Sequence, residues 1–161
     1  MDDVIKVGIA DMKICTAPEK ITTIGLGSCI GCVLYDSLTK TAGLVHFMLP
    51  DSTRIKNNSN RFKFADTGIA DLILLFEKNG VNKHRLKAKI AGGARMFSFS
   101  GSSDISSVGD QNIEAVRNIL NSNRITIVAE DVGLNYGRTI LFDPQTEELT
   151  VTNVGKSVKV I

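Results

Sequence analysis

Cys29 and His46 are the residues of this chain whose types and placement suit nucleophilic chemistry. Cys29 ends the run Thr23-Ile-Gly-Leu-Gly-Ser-Cys29, in which a Gly-x-Gly-Ser loop passes into an apolar strand. Such loops leave backbone N–H groups free. His46 lies within Gly43-Leu-Val-His-Phe-Met-Leu-Pro-Asp51, inside an apolar strand where a polar ring is costly unless it has a partner. A thiol and an imidazole joined by one hairpin are the parts of a cysteine nucleophile with its general base.

Whether the two residues meet depends on register. An even-length turn over residues 37–40 sets Cys29 opposite Met48 and His46 opposite Gly31. The thiol and the ring then share a face as diagonal neighbours, about 7 Å apart at their roots. Gly31, lacking a side chain, would give the ring room to lean toward the thiol. An odd-length turn would place the two on opposite faces.

Register also weighs against the rival motifs. Cys29-Ile-Gly-Cys32 has the spacing of a redox or zinc motif, but residues three apart on a strand point to opposite faces. A second CxxC is absent, as is the H-x-E with P-C-x-x-C pattern of nucleobase deaminases. The 25–28 loop lacks the lysine and spacing of a phosphate loop. Cys15 and Cys32 read as small buried apolar residues, and a satisfied core histidine is the alternative for His46. His84 reads as a surface residue, and Lys83, Arg85, Lys87 and Lys89 as a wetted face. Thr23 alone carries no signal.

The elements that must position this hairpin follow from pattern. The 161 residues suit one domain spanning 1–161, with 43% apolar and 22% charged residues. A formal charge of +2 does not point to nucleic acid. The first residues carry no basic segment followed by an apolar one, and no apolar run is long enough to span a bilayer. Three cysteines are too few for a disulfide framework, so a reduced, cytoplasmic protein without membrane insertion is expected.

Strands are expected over 4–10, with continuation to 15, and over 21–24, 29–36, 41–49, 85–91, 125–132 and 138–143, with a last strand at 148–154. Strands 29–36 and 41–49 are apolar on both faces, which places them inside a layered structure. Helices are expected over 66–79, with Ile69, Leu72, Ile73 and Phe76 inward, and over 110–121, with Ile113, Val116 and Leu120 inward. Residues 52–61 read as a surface loop. Residues 97–109, with six serines and two glycines, read as a mobile one. The expected fold is α/β: a mixed sheet with two helices on one face and a second β layer on the other.

The two motifs around Cys29 and His46 resemble the signature of the chemoreceptor glutamine deamidases, the CheD family of bacterial and archaeal chemotaxis. The resemblance continues in Gly92-Gly-Ala-Arg-Met-Phe97, Asn112-Ile-Glu-Ala-Val116, Asp131-Val-Gly and Gly137-Arg138. Leu134 stands where a second glycine is common, and Asp110-Gln111 where Glu-Arg is common. The resemblance implies an α/β/β sandwich and hydrolysis of receptor glutamine side chains to glutamate with release of ammonia. It also implies the cytoplasmic helices of chemoreceptors as substrate and a CheC-type phosphatase as partner. Cys29 would match the nucleophile, His46 the base and Thr23 the third member, with backbone N–H groups around Gly27, Ser28 and Cys29 holding the oxyanion. No metal or organic cofactor is needed. Two other functions use the same residues: a non-catalytic adaptor that binds a phosphatase and receptors, and a hydrolase of receptor methyl esters or other amides.

Overall fold

The computed structural model of the protein describes residues 3–96, 107–155 and 157–161. In chain order the strands are β1 (Val4–Lys6), β2 (Asp11–Thr16), β3 (Lys20–Leu26), β4 (Ile30–Asp36), β5 (Thr41–Phe47), β6 (Lys87–Gly92), β7 (Thr126–Val132), β8 (Arg138–Asp143), β9 (Glu148–Asn153) and β10 (Val158–Val160). Helix α1 (Ala65–Lys78) lies between β5 and β6, and α2 (Val108–Ser122) between β6 and β7. The strands form two mixed sheets. A central sheet has the order β2-β5-β4-β6-β7 and an outer sheet the order β1-β3-β8-β9-β10.

Two cores glue three layers together. The first lies between the helices and the central sheet: Ile69, Leu72 and Phe76 of α1 and Val116 and Leu120 of α2 pack on Ile30, Cys32, Leu34, Val45, Phe47 and Ile90. Burying each of these large apolar side chains contributes about 1.5–3 kcal/mol. The second lies between the sheets, where Val33, Tyr35 and Leu44 meet Ile21, Ile140, Phe142, Leu149 and Val151. Because the central sheet is covered twice, every residue of β4 and β5 is buried. The outer sheet has one free face, so β8 alternates between buried and half-buried positions.

The β4–β5 ladder pairs Ile30 with Phe47, Gly31 with His46 and Asp36 with Thr41, the register of an even-length turn. Gly31 serves a different purpose from the one its missing side chain suggests. A Cβ there would stand 2.7 Å from Ile140 Cδ1 and 3.2 Å from Leu26 Cδ1. The gap is thus filled by the outer sheet, and it is this close approach that brings Thr23 within reach of His46.

Several boundaries differ from expectation. The first strand does not run on: after β1 the chain leaves the outer sheet, turns at Ala10 with φ 56°, and enters the central sheet as β2. A further edge strand, β10, follows β9. Helix α2 starts two residues before the expected position, because Ser107 accepts a hydrogen bond from the Asp110 N–H and caps it. Residues 97–106 of the expected serine-rich loop lie outside the described residues. Nor are the four basic residues at 83–89 all a wetted face. Arg85 forks onto buried Asp36, and Lys89 is 7% exposed, its ammonium donating to the carbonyls of Glu147 (2.5 Å) and Ile161 (2.9 Å).

Candidate active site

His46 is fully buried on β5 and turns toward the outer sheet. Its Nδ1 lies 2.8 Å from Thr23 Oγ1, and the same hydroxyl is 2.7 Å from the carbonyl oxygen of Val7. These two distances fix the protons. A carbonyl only accepts, so the Thr23 hydroxyl donates to Val7. Its oxygen must then accept from His46, which puts the ring proton on Nδ1. Nε2 is left with its lone pair, and among the described residues it has no hydrogen-bond partner. A buried imidazole locked in this tautomer is arranged as a base.

Cys29 stands one residue before β4, half-buried, and packs against the core between the two sheets. Cys32 is fully buried in the other core, on the helix side. The two sulfurs therefore point to opposite faces of one strand and cannot share a zinc ion or a disulfide. Thiol and imidazole, in contrast, both face the space between the sheets. No hydrogen bond joins Cys29 Sγ to His46, so the protein brings Thr23 and His46 into direct contact and holds Cys29 on the same side without that bond.

The loop before Cys29 is held by its carbonyls. The Gly27 carbonyl accepts from the Ala94 N–H at 2.9 Å, and the Cys29 carbonyl accepts from the Gly93 N–H at 2.9 Å. The Ser28 carbonyl accepts from the side-chain amide of Asn112 at 2.9 Å. The Gly92-Gly93-Ala94 segment comes so close that any side chain at Gly92, at φ 114°, would collide with the Cys29 carbonyl. Gly27 and Ser28, expected as the oxyanion loop, are thus fixed with their carbonyls occupied.

Burial sets the protonation of the pair. It pulls the His46 ring from 6.5 down to about 4, and it pushes the Cys29 thiol up, a rise that a hydrogen bond from the Cys29 N–H to its own sulfur partly offsets. At neutral pH the resting site therefore holds a thiol and a neutral imidazole rather than an ion pair. A thiolate forms only as the proton moves to Nε2.

Three buried polar residues around the site had no role assigned from sequence. Asn112 lies in the inward stripe of α2 and donates to the carbonyls of Ser28 and Met48, both at 2.9 Å. Arg138 of β8, 2% exposed, lies 3.2 Å from Asp131 of β7 and 4.5 Å from the Tyr136 ring. The signal for Asn112 was there: an amide beside Ile113 and one turn before Val116 falls on the buried face of the helix. His84 is exposed, as its basic surroundings suggested.

Fold and site together define a layered α/β protein with a thiol and a neutral imidazole base on the inner side of one hairpin. The family model described as CheD chemotactic sensory transduction matches residues 48–153. That stretch begins after His46, but full-length relatives cover the rest. The chain is 56% identical over 161 residues, all of both chains, to a protein of Lachnoclostridium phytofermentans named probable chemoreceptor glutamine deamidase CheD. It is 52% identical, again over the whole of both chains, to one of Syntrophomonas wolfei with the same name. It is 48% identical to the chemoreceptor glutamine deamidase CheD of Halalkalibacterium halodurans, likewise end to end. The chain belongs to the CheD family.

Proposed function

We propose that this protein hydrolyses glutamine side chains of chemoreceptors to glutamate, with Cys29 as nucleophile, His46 as base and Thr23 as the residue that orients the ring. The observation that carries the reading is the Val7–Thr23–His46 chain, which leaves Nε2 unprotonated on a ring that faces the same inter-sheet space as Cys29. As the thiol proton moves to Nε2, sulfur attacks the amide carbon and a tetrahedral oxyanion forms. His46 returns that proton to the nitrogen, the C–N bond breaks and ammonia leaves. Water then gives a proton to the ring and attacks the thioester, releasing glutamate and the thiol. Thr23 orients the ring by a neutral hydrogen bond and adds no charge to stabilise the imidazolium, so slow turnover is expected.

The names of the relatives support a receptor substrate. Among the described residues no helix is long and apolar enough to cross a membrane. A receptor's cytoplasmic helices would be met in the cytoplasm, and a CheC-type phosphatase would be the regulatory partner, checked by co-purification of the two.

The test uses the two cysteines of one strand as controls for each other. A chemoreceptor cytoplasmic fragment is incubated with the protein, and Gln-to-Glu conversion is followed by mass spectrometry. Cys29→Ala should abolish conversion while leaving the fold intact. Cys32→Ala should cost about 1–2 kcal/mol through a small cavity and leave conversion near normal. Conversion retained by Cys29→Ala would refute the mechanism, and no conversion by the folded wild type would favour the adaptor.

A further inference from the structure

Asn112 spends both protons of its side-chain amide on carbonyls from two different elements, Ser28 before the nucleophile and Met48 just past the base strand. Its own Oδ1 is buried and has no hydrogen-bond partner among the described residues. The orientation is not open to reversal, because a flipped amide would set an oxygen against two carbonyl oxygens. A buried acceptor left unpaired carries a cost in stability, so the arrangement calls for a reason beyond filling space.

The reason lies in the planarity of the next peptide unit. In a trans peptide the C=O and N–H point to opposite edges of one plane. Asn112 sits on α2, on the helix side of the central sheet, and draws the Ser28 carbonyl toward itself. The N–H of Cys29, on the opposite edge of that peptide plane, is thereby turned away from Asn112. Among the described residues that N–H donates to no backbone carbonyl. One peptide back, the Ala94 N–H holds the Gly27 carbonyl in the same manner, and the Ser28 N–H likewise donates to no described carbonyl. Helix α2 is seated tightly enough to hold this geometry, since a side chain at Gly109 in its first turn would collide with the carbonyls of Gly93 and Ala94.

We infer that Asn112 is a positioning residue that aims the Cys29 N–H, through the Ser28 peptide, at the oxyanion formed on the glutamine amide. This rests on the deamidase reading. Asn112 touches neither the reacting atoms nor the base.

Two reactions of Cys29 separate this role from a structural one. Deamidation develops an oxyanion, whereas alkylation by iodoacetamide displaces iodide at a saturated carbon and needs none. Asn112→Ala should lower kcat for ammonia release from the receptor fragment by about 10²-fold with KM near wild type. The rate and pH profile of Cys29 alkylation should stay within about twofold of wild type. Asn112→Asp, nearly the same shape, sets carboxylate oxygens against both carbonyls and should lose at least as much kcat; it stands in if Asn112→Ala does not fold. Parallel loss of alkylation and deamidation would mean that Asn112 merely holds the hairpin together. Unchanged kcat, or a loss confined to KM, would equally overturn the inference. Cys29→Ala, run alongside, tests the underlying reading separately: activity retained there sinks the deamidase mechanism, whereas activity lost there and kept in Asn112→Ala sinks only the role of Asn112.

Discussion

Burial keeps the His46 ring neutral, and that has a thermodynamic consequence. Its ring titrates near 6.5 in an unfolded chain and near 4 in the fold, because burial disfavours the charged form. Between these values the unfolded chain binds a proton that the folded protein refuses. Stability is therefore fully present above about pH 6.5 and is lost as pH falls toward 4. A depression of this size corresponds to about 3 kcal/mol. Urea unfolding should show wild type losing about 2–3 kcal/mol more than His46→Gln between pH 7 and pH 4, since other acidic groups titrate alike in both. Equal losses would show that the ring accepts a proton inside the fold. At this scale the sequence was legible where chemistry and spacing coincided: Cys29 and His46 stand out by type, and the turn length gives their shared face. Thr23 did not, because a threonine in a strand becomes a partner only when a second sheet closes over Gly31. Asn112 and Arg138 were missed for the same reason. Their partners are backbone carbonyls or residues of other elements, and nothing in local spacing announces these.

Among the elements, the link between β7 and β8 ties the two sheets together beside the site. Asp131 at the edge of the central sheet pairs with Arg138 of the outer sheet at 3.2 Å and with the exposed Lys159 at 3.3 Å. Arg138 also reaches the Gly92 carbonyl at 3.5 Å, directly behind the residue that packs on Cys29. Removing the carboxylate leaves a guanidinium buried without its counter-charge. Asp131→Ala should cost about 3–5 kcal/mol, whereas Arg138→Met, which removes the charge and fills the space, should cost clearly less. Denaturant midpoints of the two variants check the order, and the reverse order would mean that the guanidinium is hydrated rather than buried. Helical and strand periodicity recovered both helices and the interior strands, since α1 and the β4–β5 hairpin are each buried on a regular face. It did not recover the break between β1 and β2. That crossing is set by a left-handed backbone at Ala10 and by partners in different sheets, which no local pattern encodes. Leu134 likewise sits at φ 59°, with its carbonyl accepting from the Arg95 N–H.

At the scale of the whole molecule, the sandwich is pinned between its sheets by a buried cation at each end. One is Arg138 beside the site. The other is Lys89 of β6, at the far end of the central sheet, where its ammonium reaches across to the carbonyls of Glu147 and Ile161 and lies 6.0 Å from the Tyr35 ring. Burial pulls the Lys89 pKa down, and Glu147 and Glu148 oppose this. The Ile161 oxygen already accepts from the Leu149 N–H at 3.0 Å, so the charge serves chiefly the Glu147 carbonyl, which needs a donor once the sheets close. The pins are separable in function. Lys89→Met leaves the Glu147 carbonyl short of a donor and should cost about 1–3 kcal/mol, yet it touches nothing around Cys29, His46 or Asn112. Its rate of ammonia release, measured where it is fully folded, should equal that of wild type, and unfolding should remain a single transition because both cores share the central sheet. Asp131→Ala, by contrast, should lower stability and rate together, since the guanidinium it frees lies against the Gly92 backbone that packs on Cys29. A Lys89→Met protein that is folded but slow would show that the two ends of the sandwich are coupled through the central sheet, and that the site's geometry is set by how the layers close rather than by the hairpin alone.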